Sequence, residues 1–354
     1  MASRPVTVRI LHPDPGPSAG PIEHWVAMAR AELAERHRRA FLRAGAADVA
    51  VVGGPPDDTP FGARLRAIVR AARPVGLVVL GSGAIPLASG RDYADLVAAA
   101  ARDGRHALAN NRYSADVVAI ASAETLADLP DLATDNALPR WLAEVAGFDV
   151  SDLRRRWRLA LDVDGPLELV LLGRTDAPAG LDLRGLRDRL AGVRSVAADR
   201  RAELVVNGRV SAATVTWLER SVPARVRALV EERGLRTSAS GQRSPASVLG
   251  MVLEAQGPDR LGAVLARLGE AALIDSRVLL AHRLGPDEAA WPPAADRFAS
   301  DLLLADRVRD PWLRELTAAA AGAPIPVVLG GHSLVGPGVR LWLGRDSIAR
   351  RPWS

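Results

Sequence analysis

The chain has 354 residues, 48% of them hydrophobic and 25% charged, with 31 glycines and 25 prolines, which is ordinary globular usage and excludes collagen-like and disordered classes. There is no cysteine, so disulfides, thiolate nucleophiles, iron–sulfur clusters and Cys-type zinc sites are excluded. All 46 basic residues are arginines, set against 41 acidic residues for a net charge of +5; without lysine there is no Schiff-base chemistry and no usual P-loop, so any phosphate must be met by Arg, backbone N–H groups or a metal.

The Ala, Arg and Gly bias follows base composition, so the arginines are not read as a nucleic-acid surface. The first residues, MASRPVTVRILHPDPG, contain no apolar run of signal-peptide length, and no stretch approaches a membrane span. A soluble, cytoplasmic chain without a membrane partner is expected. At roughly 100 to 200 residues per domain the length suggests two domains.

Periodicity predicts alternating strands and helices. A strand at Val6–Leu11 leads through a Pro/Gly-rich loop to a long helix over Ile22–Ala44, closed by Gly45. A strand at Asp48–Gly53 and a helix at Phe61–Ala72 follow. Gly76–Leu80 is continuously apolar, as a central strand covered on both faces should be. Next come a helix at Tyr93–Arg102, strands at His106–Asn110 and Asp116–Ala121, a helix at Asn136–Ala146, a strand at Leu159–Val163 and a helix from Pro166. This is the pattern of an α/β sheet domain.

The loop Gly173–Gly180 interrupts the pattern with Thr175, Asp176 and Pro178, which predicts a division into domains over 1–175 and 181–354. In the second half the pattern predicts helices at Leu183–Leu190 and Ala212–Arg233, the latter kinked at Pro223. A helix is also expected from Pro245 after the loop Ser238–Ser244. Strands are expected at Leu204–Val206, Leu273–Ala281, Ile325–Leu329 and Val339–Leu343. The fold class expected is therefore α/β, with a mostly parallel Rossmann-like sheet and a second, smaller α/β domain.

Open parallel sheets bind ligands at the carboxyl ends of their strands, which directs attention to GSGAIPLAS (Gly81–Ser89) and LDVDGPLELVLL (Leu161–Leu172). In an extended strand Asp162 and Asp164 would share one face, and two adjacent carboxylates suit a hard cation; Asp164 also precedes Gly165-Pro166 as a helix cap would. The Gly81-Ser82-Gly83 turn can let a ligand approach the backbone closely, or can be a tight turn only. Asn111, Arg112 and Ser114 lie in a polar segment joining two predicted strands, suited either to recognition or to turn formation.

Together with AFLRAGAADVAVVGG (Ala40–Gly54), these segments resemble the nucleotidyltransferase branch of the nucleotide-diphospho-sugar transferase fold, over roughly residues 5–175. The similarity is to molybdenum-cofactor guanylyltransferase-like and phospholactate guanylyltransferase-like proteins. In that family one strand ends in Gly-Asp-x-Pro-Leu and a later one in Leu-Asp-Ile-Asp-Thr-Pro. Asp162, Asp164 and Pro166 match the second motif, with Gly165 in place of its Thr.

The resemblance implies a nucleoside triphosphate, a small phosphorylated or hydroxylated acceptor, and Mg²⁺ or Mn²⁺ held by Asp162 and Asp164 as the catalytic carboxylates. Gly81, Ser82, Gly83, Asn111, Arg112 and Ser114 are then the residues that bind the nucleotide. The sequence departs from the family at His12–Pro21, which lacks the Arg and Lys of the phosphate loop, and at Ser82 or Ala84, where the turn carboxylate belongs. These departures equally suit a nucleotide-binding or regulatory module of the same fold that has lost catalysis.

Other signals are less specific. Gly331-His332-Ser333 suggests a nucleophile elbow, but Val335 stands where the second glycine is required, which argues against a hydrolase of that type. No two histidines are spaced as zinc ligands. Arg154–Arg158 reads as a solvated basic cluster, Arg297 and Asp301 as an i,i+4 pair, and His332 as a candidate ligand contact after an apolar strand.

Overall fold

The computed structural model describes residues 4–54, 57, 59–232 and 245–344. It is an α/β protein of two compact units, one formed by Met1–Ser18 with Ala27–Val163 and the other by Ala19–Val26 with Asp164–Ser354. The division falls between Val163 and Asp164, ahead of the loop Gly173–Gly180 singled out in the sequence. Among the described residues no helix is long and apolar enough to cross a membrane.

In the first unit β1 (Val6–Pro13) is followed by the long helix α1 (Pro21–Arg43), β2 (Asp48–Gly54), α2 (Phe61–Ala72), β3 (Gly76–Gly81) and α3 (Gly90–Ala100). Then come β4 (His106–Ala109), β5 (Val117–Ile120), α4 (Leu138–Glu144) and β6 (Asp149–Asp152). The sheet order is β2-β1-β3-β5-β4-β6. Only β5 runs against its neighbours, the other pairings being parallel.

The central strand β3 is buried along Gly76–Leu80, which is why its sequence reads as one apolar run rather than an alternation. Side chains pack on both of its faces. Val78 and Leu80 join Val8, Ile10, Phe41 and Leu96 on one side, while Leu77 and Val79 join Leu65, Ile120 and Leu138 on the other.

The strand expected at Leu159–Val163 is absent. Trp157–Ala160 is a 3-10 turn, and the segment makes one isolated bridge, Asp162 to Ala84. Leu159, Leu161 and Val163 are all buried, so burial alone reproduces the period-two pattern without a ladder. The sixth strand is Asp149–Asp152 instead, an edge strand whose DVSD sequence carries a single apolar residue, Val150.

The second unit contains α5 (Pro166–Leu171), α6 (Arg184–Ala198), β7 (Glu203–Gly208), α7 (Ala212–Ser221), β8 (Arg225–Val230), α8 (Val248–Gln256), α9 (Leu261–Ala266) and β9 (Ala271–Asp275). It continues through α10 (Ser276–Leu284), α11 (Ala294–Asp301), α12 (Pro311–Ala321), β10 (Val327–Gly330) and α13 (Val339–Leu343). Its four strands are all parallel, in the order β10-β9-β7-β8.

Three expectations fail here for identifiable reasons. The helix expected over Ala212–Arg233 stops at Ser221, two residues before Pro223, whose ring disfavours a helical residue ahead of it, and Arg225–Val230 pairs as a strand. The run Leu273–Ala281 divides at Asp275, whose side chain accepts from Arg277 N and caps a helix. Val339–Leu343 is helical; a short apolar run does not distinguish strand from buried helix. The helix expected from Pro245 begins at Val248, capped by Ser247, and the loop Ser238–Ser244 lies outside the described residues.

Candidate functional site

In the first sheet the chain leaves β1 toward β2 on one side and reaches β3 on the other, so the carboxyl ends of β1 and β3 form a topological switch point, where such sheets open a crevice. A cavity of about 230 Å³ lies there. Leu11 and Pro13 from the end of β1, Val79–Gly81 from β3 and the following Ser82, Gly83 and Ala84 form one wall. Because β5 is antiparallel, its beginning lies at the same edge, and Ala115, Asp116, Val117 and Val118 form another. Phe61, Leu138, Asp135, Asp162 and Arg30 complete the lining.

Local bonding explains how the wall is held. Ser82 N donates to Leu11 O at 2.8 Å and Gly81 N to Asp116 O at 3.3 Å, tying the turn to β1 and to the start of β5. Val163 N donates to Gly83 O at 3.0 Å, and Arg30 Nε donates to Val163 O at 2.7 Å. Gly83 is required by close approach: a Cβ there would lie 2.8 Å from Asp162 Oδ1, 2.9 Å from Val163 O and 3.2 Å from Arg30 Nε.

Two residues on, Ile85 has φ of 44°, a left-handed conformation that is costly for a β-branched side chain. Arg36 braces this stretch by donating to Pro86 O at 2.6 Å. Beneath it the buried His37 and Tyr93 side chains are bonded at 2.8 Å; burial drives His37 down to about 3 and Tyr93 up to about 12, so both are neutral near pH 7.

Polar groups on the wall are oriented by buried partners. Asn110 Nδ2 donates to Asp116 Oδ2 at 2.7 Å and to Leu159 O at 2.9 Å, while its Oδ1 accepts from Asp116 N at 3.0 Å. Asp116 is thus held at the cavity edge by an amide behind it. His12 Nδ1 and Ser82 Oγ lie 3.0 Å apart. Burial lowers the His12 pKa below its ordinary value, the nearby Asp14 opposes this, and Arg30 adds to it.

The structure therefore brings together Gly81, Ser82, Gly83 and Asp162. It does not place Asn111, Arg112 or Ser114 in the lining. Asn111 Oδ1 accepts from Tyr113 N at 3.0 Å in a local turn, and Ser114 Oγ donates to Asn136 Oδ1 at 2.9 Å. Asp162 and Asp164 are not neighbours on one strand face, because 159–163 is not a strand; Asp164 is exposed and belongs to the second unit. There it raises the pKa of Glu168, whose Oε2 accepts from Gly165 N at 2.9 Å. Among the described residues no group of three or more His, Cys, Asp or Glu is arranged to hold a metal ion.

His12, Arg30, Asp116 and Asp135 are the site residues that the sequence reading missed as such. Asp116 lay within a polar segment already marked, but nothing local distinguishes Arg30 from the other arginines of α1. Within the basic cluster Arg154–Arg158, three arginines have partners inside the first unit. Arg156 and Arg158 pair with the buried Asp92 at 2.7 and 2.5 Å, and Arg154 lies over the Tyr113 ring.

The second unit has its own switch point, between β7 and β9. Asp275 at the end of β9 is buried and pairs with Arg209 at 2.6 Å, and Arg277 pairs with the buried Asp301 at 2.5 Å. Burial raises the carboxyl pKa of Glu168 to about 8, with Asp164 and Asp301 adding to the effect. Arg297 pairs with Glu288 rather than with Asp301, since Asp301 is turned toward Arg277. His332 is half-buried after β10 and lowers the Asp275 pKa. No protein-family model matches this chain, and no curated protein matches it significantly.

Proposed function

We propose that the first unit binds a nucleoside triphosphate at the β1/β3 cavity and that the chain is a nucleotidyltransferase-like protein acting on a small phosphorylated or hydroxylated acceptor. The observation that carries this is the convergence of the Gly81-Ser82-Gly83 turn, Asp162 and Arg30 on one cavity at a switch point of a mostly parallel sheet. Glycines there leave room for close approach to the backbone, and the Arg30 guanidinium offers charge to phosphate oxygens.

Mg²⁺ is commonly held by one or two carboxylates together with substrate phosphates, and Asp162 and Asp116 are the lining residues suited to that role. When bound, the ion would neutralise phosphate charge. The chain's own groups position the ligand: Asn110 orients Asp116, and Gly83 leaves the space that the Asp162 carboxylate occupies. The apolar lining, Leu11, Phe61, Val79 and Leu138, suits a base or sugar ring.

The test is thermal denaturation of the full chain with GTP, CTP, ATP or UTP, each with Mg²⁺ or Mn²⁺. A ligand at about a hundredfold above its Kd stabilises the native state by roughly 2.7 kcal/mol. Asp162→Asn should reduce the shift by removing an anionic ligand of the metal. Absence of a shift with all four nucleotides would overturn the proposal.

A second reading, a nucleotide-binding module without transfer activity, is favoured by one observation. The resembling family's turn carboxylate falls at Ser82 or Ala84, neither of which is acidic, and the Ser82 hydroxyl is engaged with His12. Nucleotide binding without pyrophosphate release would select that reading.

A further inference from the structure

The Ser82 hydroxyl and the His12 imidazole meet across 70 positions of sequence, one in the turn after β3 and the other at the end of β1, with Nδ1 and Oγ 3.0 Å apart. A serine and a histidine at this separation, with the serine among the cavity-lining residues, have the nucleophile-to-base spacing of an activated serine. We propose that Ser82 is a nucleophile, with His12 as its general base, and that the first unit has an acyl-transfer activity toward small carboxylic esters. It concerns the same cavity as the nucleotide proposal, but its test reads the reactivity of Ser82 and does not depend on nucleotide binding.

Four features support the assignment. Ser82 is buried, 2% exposed, and is among the residues that line the cavity. Glycines flank it on both sides, so neither adjacent residue sets a side chain beside Oγ. Arg30 lines the same cavity; its Nε donates to Val163 O at 2.7 Å, which holds a guanidinium beside the turn, where its positive charge favours an oxyanion.

The charge of Asp14 favours the protonated form of His12, the form that accumulates after proton transfer. The other charged group acting on His12 is Arg30, in the opposite sense. Burial keeps the resting imidazole neutral and able to accept a proton.

In the step proposed, Ser82 Oγ attacks the ester carbonyl carbon and forms a C–O bond while its proton passes to His12 Nδ1. The tetrahedral oxyanion collapses, the bond to the alcohol oxygen breaks, and the alcohol leaves with the proton from His12. Water then attacks the acyl-serine with His12 as base, releasing the carboxylic acid and restoring Ser82. Water is the only co-reactant. The apolar walls Leu11, Phe61 and Leu138 favour a short acyl chain.

The experiment treats the full chain with a fluorophosphonate, from which serine displaces fluoride, and maps the adduct by peptide mass spectrometry. The expected result is a single adduct on Ser82. It should be absent from Ser82→Ala and from urea-unfolded protein, and should form at least about 100-fold more slowly in His12→Gln. A burst of one equivalent of 4-nitrophenol from 4-nitrophenyl acetate should accompany it and vanish in Ser82→Ala.

Because the chain has no cysteine, Ser82→Cys introduces a unique thiol. Its alkylation by iodoacetamide at pH 7 should be faster than that of free cysteine and should slow when His12→Gln is added. Wild-type protein unmodified at Ser82, adducts scattered over exposed serines, equal labelling rates with and without His12, or the absence of a burst would overturn the inference.

Discussion

Two glycines of one turn should respond oppositely to the same substitution. At Gly83 a Cβ would meet Asp162 Oδ1 at 2.8 Å, Val163 O at 2.9 Å and Arg30 Nε at 3.2 Å, whereas at Gly81 it would meet nothing within 4 Å. Neither glycine has positive φ, so backbone strain does not enter. The carboxylate can swing away, but Val163 O is backbone, bound by Arg30 Nε and attached to a residue whose N–H donates to Gly83 O.

Overpacking of this kind costs about 1–3 kcal/mol. Replacing glycine by alanine recovers about 0.4–1 kcal/mol through the unfolded chain. Taking the middle of each range, about 2 less about 0.7, Gly83→Ala should destabilise the first unit by about 1.3 kcal/mol, and at about 2–4 °C per kcal/mol for a unit of this size its transition should fall by about 3–5 °C. Gly81→Ala should be neutral or raise the transition slightly. Scanning calorimetry of the two variants beside wild type decides the matter; an unchanged or raised transition in Gly83→Ala would refute the packing of Asp162 and Val163 on that glycine.

In the second unit, Arg277→Met should cost about 3–5 kcal/mol in urea denaturation, the range for breaking a buried ion pair from one side, because Asp301 is left buried without its 2.5 Å partner. Replacing Asp301 by Leu in the same chain should recover part of that loss, and no recovery would count against the pairing. Glu168 provides a pH test. Its folded pKa of about 8 lies above its ordinary value of 4.5, so its contribution to stability is fully present below about pH 4.5 and is lost as pH rises through about 8. The melting temperature of Glu168→Gln should accordingly fall less between pH 5 and 9 than that of wild type, and parallel curves would refute the burial of an ionisable Glu168.

The α/β class, the central position of Gly76–Leu80 and the Gly81–Gly83 turn at the end of that strand were legible in the sequence because each depends on local pattern: a continuous apolar run, a change of period, a pair of glycines after a strand. Boundaries failed where the local signal was ambiguous. At Asp275 a helix cap interrupts what reads as one apolar strand, and at Leu159–Val163 buried alternate residues imitate a ladder that does not form. The DVSD edge strand offered one apolar residue, Val150, too little for a period to show.

What only the tertiary structure decided was which side chains share the cavity. His12 and Ser82 meet because β1 and β3 are adjacent and parallel in register, with Leu11 opposite Gly81. Asp116 reaches the same edge because β5 runs antiparallel, and Arg30 because its guanidinium bonds to Val163 O. Such meetings depend on strand order and direction, which arise from the packing of the whole unit rather than from the residues beside each partner.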